Sequence, residues 1–92
     1  MYKPLKEFLT IKKSKIHGLG VFTTEPIKAG IILGETHYYT INLIRTPLGG
    51  FLNHSNKPNC YIVSKDDIGT LHTVRLIKKN EELTVYYRLY DV

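Results

Sequence analysis

The chain has 92 residues, a formal net charge of +5, a hydrophobic fraction of 42% and a charged fraction of 23%. This length allows one hydrophobic core and excludes a second domain, and the composition excludes a disordered or fibrous chain. No apolar run is long enough to cross a bilayer, and the first ten residues, MYKPLKEFLT, lack the apolar stretch of a signal peptide. We therefore expect a cytoplasmic protein that does not associate with membranes.

The cysteine and histidine content argues against a bound metal. Cys60 is the only cysteine, so an intrachain disulfide and a cysteine-rich structural zinc site are both excluded. The histidines lack the close spacing that would place two ligands on one face, and we therefore predict no metal site. They are His17, His37, His54 and His72.

Short β-branched and aromatic runs alternate with turn-forming residues along the chain, which is typical of a mainly β protein. No stretch shows sustained helical periodicity, and four prolines and seven glycines leave room for at most one short helical turn. There is no internal repeat or linker, so residues 1–92 are expected to form one domain. The predicted strands are residues 8–12, 21–23, 31–35, 38–44, 60–64, 71–76 and 83–87.

The segment 66–69, Asp-Asp-Ile-Gly, lies between two predicted strands and is typical of a hairpin connection. We expect aspartate to cap the turn and glycine to take a positive φ angle. The strand pattern also predicts the core. The predicted core residues include Phe8, Ile11, Val21, Phe22, Ile32, Leu33, Val74, Leu76, Leu83 and Val85.

Lysines crowd the start of the chain and contribute to its positive charge. Such a cluster is compatible with nucleic acid or another acidic partner, but no aromatic-basic repeat suited to stacking bases accompanies it. We favour a solvated basic edge, because lysines also keep sheet edges from pairing with other chains, and we do not expect nucleic acid binding. The lysines are Lys3, Lys6, Lys12, Lys13 and Lys15.

The first segment with chemical potential is KIHGLGVF at residues 15–22, where Gly18 and Gly20 lead into a predicted strand. Glycines at this spacing let backbone N–H and C=O groups approach a ligand, but they serve equally often as a tight turn. The segment is not a dinucleotide fingerprint, because no third glycine opens a helix.

The second segment is FLNHSNKPNC at residues 51–60, which combines two large apolar residues with polar turn-formers. Asn53 and His54 offer donors and acceptors suited to the edge of a purine, and Pro58-Asn59 ends the excursion in a turn. The alternative is a loop whose hydrogen bonds are satisfied internally, and composition alone favours that alternative.

The third segment is NEELTVYY at residues 80–87, in which two carboxylates precede an apolar strand that ends in two tyrosines. Alternation places Tyr86 and Tyr87 on opposite faces, so one phenol can face a pocket. The alternative for Glu81 and Glu82 is a solvated start of the strand.

Together and in this order, the three segments resemble the SET-domain family of protein-lysine methyltransferases. They match its early G-x-G motif, its central N-H-S-x-x-P-N motif at residues 53–59 and its late E-E-L-T-x-x-Y motif at residues 81–87. The central motif is the most specific of the three. The resemblance covers residues 14–87, and in its small size the chain resembles virus-encoded or bacterial members.

The resemblance implies a mainly β SET-domain fold of several small sheets with little helix and a C-terminal pseudoknot, in which the C-terminal segment passes through a loop of the preceding stretch. The second and third motifs would then meet. It also implies S-adenosyl-L-methionine as the cofactor. By the match to the motifs, the cofactor-binding residues would be His17, Gly18, Leu19, Gly20, Asn53, His54 and Tyr87.

The activity implied by the resemblance is in-line methyl transfer from S-adenosylmethionine to a neutral lysine amine of a protein, with a histone or another basic protein as candidate substrates. Tyr87 would be the catalytic residue, because it closes the E-E-L-T-x-x-Y motif. Its hydroxyl would orient the amine and stabilise charge on the transferring methyl group. The alternative function is a catalytically inactive SET fold that binds the cofactor or a protein partner.

The chain departs from larger family members in three places. Asn56 stands where zinc-dependent members place a cysteine, and no cysteine-rich tail follows, so we expect neither a pre-SET nor a zinc-binding post-SET region. Residues 36–50 are all that separate Glu35 from Phe51, so the variable insert is nearly missing. Thr36 stands where many members have a second active-site tyrosine, and whether Tyr38 or Tyr39 substitutes is left open.

A domain without insert or lid has few walls for a closed channel, and small virus-encoded SET proteins solve a similar problem by dimerising. We therefore expect a homodimer. The small size also favours a viral or bacterial source, which places the protein in the cytoplasm, or in the host nucleus if it is viral.

Overall fold

The computed structural model describes residues 5–39 and 41–86. The predicted catalytic residue Tyr87 and the basic residue Lys3 lie outside these residues. The prediction of a mainly β fold with little helix is confirmed. The elements, in chain order, are β1 (Leu9–Lys13), β2 (Leu19–Thr23), β3 (Ile32–Tyr39), β4 (Leu43–Arg45), α1 (Pro47–Gly50), β5 (Asn53–His54), β6 (Cys60–Lys65), β7 (Ile68–Thr73) and β8 (Thr84–Val85).

The strands of the described residues form three small sheets. β1 and β2 make an antiparallel hairpin, and β4, β3, β7 and β6 make an antiparallel sheet in that order. β5 and β8 pair in parallel, although each has only two residues. Isolated bridges between Phe22 and Glu82 and between Ile27 and Ile77 tie the later part of the chain to the earlier part.

The hairpin between β6 and β7 lies where the sequence predicts it, but its turn residues differ from the prediction. Lys65 and Ile68 are register partners, so the connection has two residues, Asp66 and Asp67, whose φ angles are 53° and 65°. Positive φ at both central residues is typical of a type I′ turn. The prediction that Gly69 takes the positive φ is wrong, because Gly69 lies in β7, where a β-carbon would collide with the His37 ring.

The predicted strand 38–44 is wrong in extent. β3 continues to Tyr39 and the chain then reverses into β4, so that Tyr38 pairs with Ile44 and Tyr39 pairs with Leu43. Neither glycine nor proline marks this reversal in the sequence, which is why strand-forming composition on both sides hid it. The predicted strand 71–76 is displaced, since β7 is Ile68–Thr73. The predicted strand 83–87 contains β8 but is longer than it, since β8 is Thr84–Val85, and Tyr87 lies outside the described residues.

The strand pattern predicted only part of the hydrophobic core. Val21, Leu33, Leu83 and Val85 are buried as predicted. Phe8, Ile11 and Phe22 are only half-buried. The remaining buried hydrophobic residues are Leu9, Ile27, Leu48, Leu52, Cys60, Leu71 and Ile77.

Three predicted core residues are wrong, because Ile32, Val74 and Leu76 are exposed by 57%, 53% and 54%. The shift of β7 explains two of them. Within β7 the buried positions alternate, and the strand ends at Thr73 before Val74 and Leu76. The next buried apolar residue is Ile77, which lies in the bridge to Ile27.

The expected short helical turn is confirmed as α1. The hydroxyl oxygen of Thr46 accepts a hydrogen bond from the N–H of Gly49 at 3.2 Å, and Pro47 occupies the first turn, where its missing N–H costs nothing. No helix among the described residues has the length and apolar character needed to cross a membrane.

Gly49→Ala tests how tightly α1 packs on β3. A β-carbon at buried Gly49 would collide with the carbonyl oxygen of Thr36 and lie 2.8 Å from its carbonyl carbon. We expect the change to lower the free energy of unfolding by about 1–3 kcal/mol, as overpacking does. Gly50→Ala is the matched control, because a β-carbon there meets nothing within 4 Å. Urea denaturation of both variants measures the difference, and equal stabilities would contradict this packing.

Candidate functional site

A buried asparagine joins the second and third sequence segments. The side chain of Asn59 is 1% exposed; its Oδ1 accepts the N–H of Thr84 at 2.8 Å, and its Nδ2 donates to the backbone oxygen of Glu82 at 2.8 Å. The backbone N–H of Asn59 in turn donates to the Thr84 hydroxyl at 3.4 Å. These contacts satisfy both ends of the amide, which is the condition for burying it without cost.

The parallel pairing of β5 and β8 follows directly from this junction. Asn53 lies opposite Thr84 and His54 opposite Val85. The pairing continues beyond β5, where the N–H of Ser55 donates to the oxygen of Val85 at 2.9 Å. The expectation that the second and third motifs meet is therefore confirmed, while the segment that would complete a pseudoknot after Tyr86 lies outside the described residues.

The side chain of Asn53 brings the first motif to the same place. Its Nδ2 lies 2.8 Å from Oε2 of Glu82, 3.2 Å from the oxygen of His17 and 3.1 Å from the oxygen of Leu19. One amide group therefore connects the G-x-G loop, the N-H-S segment and the E-E-L-T segment.

Ser14 holds the other side of the G-x-G loop. Its hydroxyl donates to Oε1 of Glu82 at 2.8 Å and accepts from the N–H of Ile16 at 2.9 Å, with the N–H of His17 more distant at 3.4 Å. The carboxylate of Glu82 thus receives hydrogen bonds from both side chains that contact the loop.

The two glycines of the loop have different roles. Gly18 has a φ of 48°, a left-handed conformation that favours glycine, and a β-carbon there would meet nothing within 4 Å. Gly20 is buried, and a β-carbon there would collide with the Glu82 carboxylate and lie 3.1 Å from Nδ2 of Asn53. Gly18 therefore shapes the turn, while Gly20 makes room for the network.

An open aromatic surface lies beside this network. His54 and Tyr86 are both exposed, and their rings are 4.9 Å apart with an interplanar angle of 50°. His54 also pairs through Nε2 with Oδ1 of Asn56 at 3.2 Å. The predicted site residues His17, Gly18 and Leu19 are exposed as well. The structure thus gathers six of the predicted residues, and the seventh, Tyr87, lies outside the described part of the chain.

Glu81 and Glu82 do not form a solvated start of a strand. Both are half-buried, and Glu81 is 2.7 Å from the Arg75 guanidinium. The hydrogen bond from Arg75 lowers the pKa of Glu81 to about 2, although burial of the carboxyl acts in the opposite direction. Hydrogen bonds from the N–H of Lys78 and the amide of Asn59 also lower this pKa. Because the folded pKa lies below the ordinary one, this pair stabilises the fold above about pH 4.5 and loses its effect as the pH falls towards 2.

The position of the missing second tyrosine is occupied by a buried residue. Thr36 is buried, and its hydroxyl lies 3.0 Å from Nδ1 of His37. Burial and the charge of Arg45 lower the pKa of His37. Tyr38 and Tyr39 lie farther along β3, and the Tyr39 ring contacts the His37 ring edge-on at 5.5 Å.

Ser14, Asn59 and Glu82 are parts of the site that were not predicted from the sequence. Asn59 lies inside the N-H-S-x-x-P-N motif and Glu82 inside E-E-L-T, so the motifs contained the signal. Their functions depend on partners more than twenty residues away, which local periodicity does not reveal. Within residues 5–39 and 41–86, no three His, Cys, Asp or Glu side chains form a group that could hold a metal ion.

Comparison with known proteins places these segments in a family context. The sequence model of the SET domain family matches residues 41–88. Curated relatives include the histone-lysine N-methyltransferase trithorax of Drosophila virilis, 29% identical, and the histone-lysine N-methyltransferase ATX2 of Arabidopsis thaliana, 26% identical. The matches cover 95% and 100% of this chain but only 3% and 12% of those proteins.

The fold has a clear counterpart among solved structures. The crystal structure of a Plasmodium falciparum protein proposed to be a histone methyltransferase superposes with a TM-score of 0.72 and 23% identity, covering 92% of this chain and 96% of that one. This likeness establishes the fold. The alignments with the curated relatives run over 129 and 132 residues, so the relatives carry additional residues within the matched region.

Asn59→Asp tests the junction between the second and third segments. The change keeps the acceptor for Thr84 but turns the donor towards Glu82 into a carboxylate oxygen, which then faces another acceptor. We expect a loss of about 1–3 kcal/mol in the free energy of unfolding at neutral pH, partly recovered when the introduced carboxyl is protonated. Asn56→Asp is the control, since Asn56 is exposed in the same loop. Equal melting temperatures for the two variants at pH 7 would contradict the proposed junction.

Proposed function

The chain belongs to the SET-domain family, and we propose that it is an S-adenosylmethionine-dependent protein-lysine N-methyltransferase. The observation that carries this proposal is the convergence of the three family segments on the amide of Asn53 and the carboxylate of Glu82. The names of the curated relatives support it at the level of reaction class. The chain spans only a small part of those relatives, so its activity, substrate and partners are proposed here.

The residues present suit S-adenosylmethionine, which SET methyltransferases use as a family property. The carbonyl oxygens of His17 and Leu19 each have a second lone pair beyond the one that Asn53 uses. They suit a donor such as an amino group. The exposed rings of His54 and Tyr86 suit contact with an adenine base. When bound, the cofactor supplies a methyl group on a positively charged sulfur.

The chain's own contribution to the reaction is positioning. The target lysine must lose its proton before it can attack, and an unperturbed lysine has a pKa near 10.4. Burial of the amine beside a positive charge lowers that pKa without a general base from the protein. We assign the hydroxyl of Tyr87 the function of orienting the neutral amine and stabilising charge that develops on the methyl group.

The proposed reaction does not use the Cys60 thiol as a nucleophile. Burial raises the pKa of Cys60 to about 12, so its thiol stays protonated at neutral pH and is a poor nucleophile. Cys60 lies in the core, where it packs with the other buried apolar residues.

The proposed substrate is a lysine of a protein, with a histone or another basic protein as candidates because the relatives are named for histone lysine. We also propose a homodimer, since the short stretch 36–50 leaves few walls for a substrate channel. We further propose that the protein is located in the cytoplasm, or in the host nucleus if it is viral.

Tyr87→Phe tests the proposed chemical step. The change deletes one oxygen and keeps the ring, so we expect methyl transfer to fall about a hundredfold, corresponding to about 2.7 kcal/mol in the barrier. Cofactor affinity should change little. Single-turnover rates with labelled cofactor and calorimetric titration with S-adenosylhomocysteine measure the two quantities separately.

Two further variants show whether a loss of activity is specific to Tyr87. Tyr61→Phe is the control, because Tyr61 is an exposed tyrosine of β6, which belongs to a different sheet from β8, and it should have the parent rate. Tyr86→Phe keeps the ring that contacts His54. A large loss for Tyr86→Phe alone would move the assignment to the neighbouring tyrosine, and full activity of all three variants would contradict the proposed mechanism.

A further inference from the structure

Strand β6 forms one edge of the four-stranded sheet, because only β7 pairs with it there. The register of the two strands is unbroken, and the N–H of Val74 continues it by donating to the oxygen of Asn59 at 2.9 Å. Backbone groups of an antiparallel strand point alternately to its two sides. Since Asn59 bonds towards β7, the odd-numbered residues of β6 do the same, and the N–H and C=O groups of Ile62 and Ser64 point to the free edge.

This edge is open in the part of the chain that the structure describes. Within residues 5–39 and 41–86, no hydrogen bond reaches the backbone groups of Ile62 and Ser64. The side chains of Tyr61 and Val63 beside them are 45% and 39% exposed. Unpaired N–H and C=O groups next to exposed apolar side chains are a template for pairing with another strand.

The outer strands of the neighbouring elements have protection that β6 lacks. β1 ends in Lys12 and Lys13, and β4 has only three residues. Charged side chains and short length are the usual means by which an exposed edge is kept from pairing. β6 has six residues, contains neither proline nor a bulge, and carries its one charge, Lys65, at its last position.

We propose that two copies of the chain pair through β6, antiparallel and about a two-fold axis at Val63, so that their sheets join into one. In this register Ile62 of each copy faces Ser64 of the other, and each of these two pairs exchanges both main-chain hydrogen bonds. The pairing closes on itself, so it stops at a dimer. This inference rests on the homodimer proposed above, to which it assigns a surface, and it does not depend on methyl transfer.

The outer face of the edge suits a second copy of the same strand. Val63 would lie beside its own counterpart, which removes apolar surface of both side chains from water. Tyr61 would lie opposite Lys65 of the partner subunit, whose alkyl stem packs along the ring while the ammonium group is attracted to the ring face. No like charges face each other across this pairing, an arrangement that would destabilise it.

The two ends of the edge carry opposite charges. Asp66 and Asp67 follow β6 in the turn, and Lys57 precedes the strand. Antiparallel pairing brings the acidic end of one copy towards the basic end of the other, whereas parallel pairing would bring like charges together. The interface is small because two residues of each strand bond directly, so we expect monomer and dimer in equilibrium and not a permanent dimer.

Ser64→Pro tests the pairing at the backbone. Proline removes the N–H that faces the free edge and leaves the hydrogen bonds to β7 in place, an arrangement that edge strands tolerate. The change deletes half of the main-chain hydrogen bonds across the axis, so the dimer dissociation constant from sedimentation equilibrium should rise at least about tenfold. Ser64→Ala is the matched control, because it keeps the N–H and should have the parent constant.

Val63→Cys tests the register. Directly opposite residues of a non-hydrogen-bonded pair bring their β-carbons close enough for a disulfide, so this variant should form a covalent dimer under mild oxidation. Ile32→Cys is the control, since Ile32 is 57% exposed on the same face but lies two strands away, and it should not be cross-linked. The native Cys60 does not compete, because it is buried.

The other outcomes distinguish this surface from the homodimer and from the activity. If the parent dimerises while folded Ser64→Pro dimerises equally well and Val63→Cys is not cross-linked, the dimer uses another surface and this inference is wrong. If Ser64→Pro does not fold in a thermal melt, Val63→Lys replaces it, because it places two positive charges at the axis and should abolish the dimer. A parent that stays monomeric at its highest soluble concentration contradicts both the inference and the homodimer. A dimeric parent without methyl transfer supports this inference and contradicts the proposed function alone.

Discussion

The buried side chain of Asn59 is the contact on which the site depends. A fully buried amide must have both its donor and its acceptor satisfied, and Asn59 achieves this by binding the backbone at Glu82 and Thr84. That requirement aligns two very short strands in parallel, although two residues per strand supply little pairing energy of their own. The alignment places Asn53 beside the third segment and close enough to reach the loop of the first.

The carboxylate of Glu82 carries this organisation into the G-x-G loop. It accepts hydrogen bonds from the side chains of Ser14 and Asn53. The Ser14 hydroxyl in turn accepts from a loop N–H group, and the Asn53 amide donates to a loop carbonyl. Gly20 is required because the carboxylate occupies the space of its β-carbon. Of the two glycines in the G-x-G motif, Gly20 is therefore required for packing. Gly18 has open space on its outer side.

Local composition predicted most strands but not the two short strands, β5 and β8, that bring the site together. Strands with clear composition, such as β1, β2 and β6, lie near their predicted positions, and the hairpin at residues 66–69 is in place with different turn residues. β5 and β8 are too short for periodicity, and their pairing is set by a side chain distant in sequence. The predicted site residues came from resemblance to a family. Glu82 was not among them, because its partners, Ser14 and Asn53, lie far away along the chain.

Loop carbonyls and exposed rings form an open surface beside the third motif, in a chain much shorter than the relatives it matches. We propose that this surface binds the cofactor and supports methyl transfer to protein lysine. The most direct measurement is the formation of S-adenosylhomocysteine when the chain and S-adenosylmethionine are incubated with a panel of basic proteins, beside the same proteins with acetylated lysines. Our account predicts product with the unmodified proteins and a mass increase on a lysine, with neither after acetylation. Cofactor binding without product on any protein, or equal product after acetylation, would contradict it.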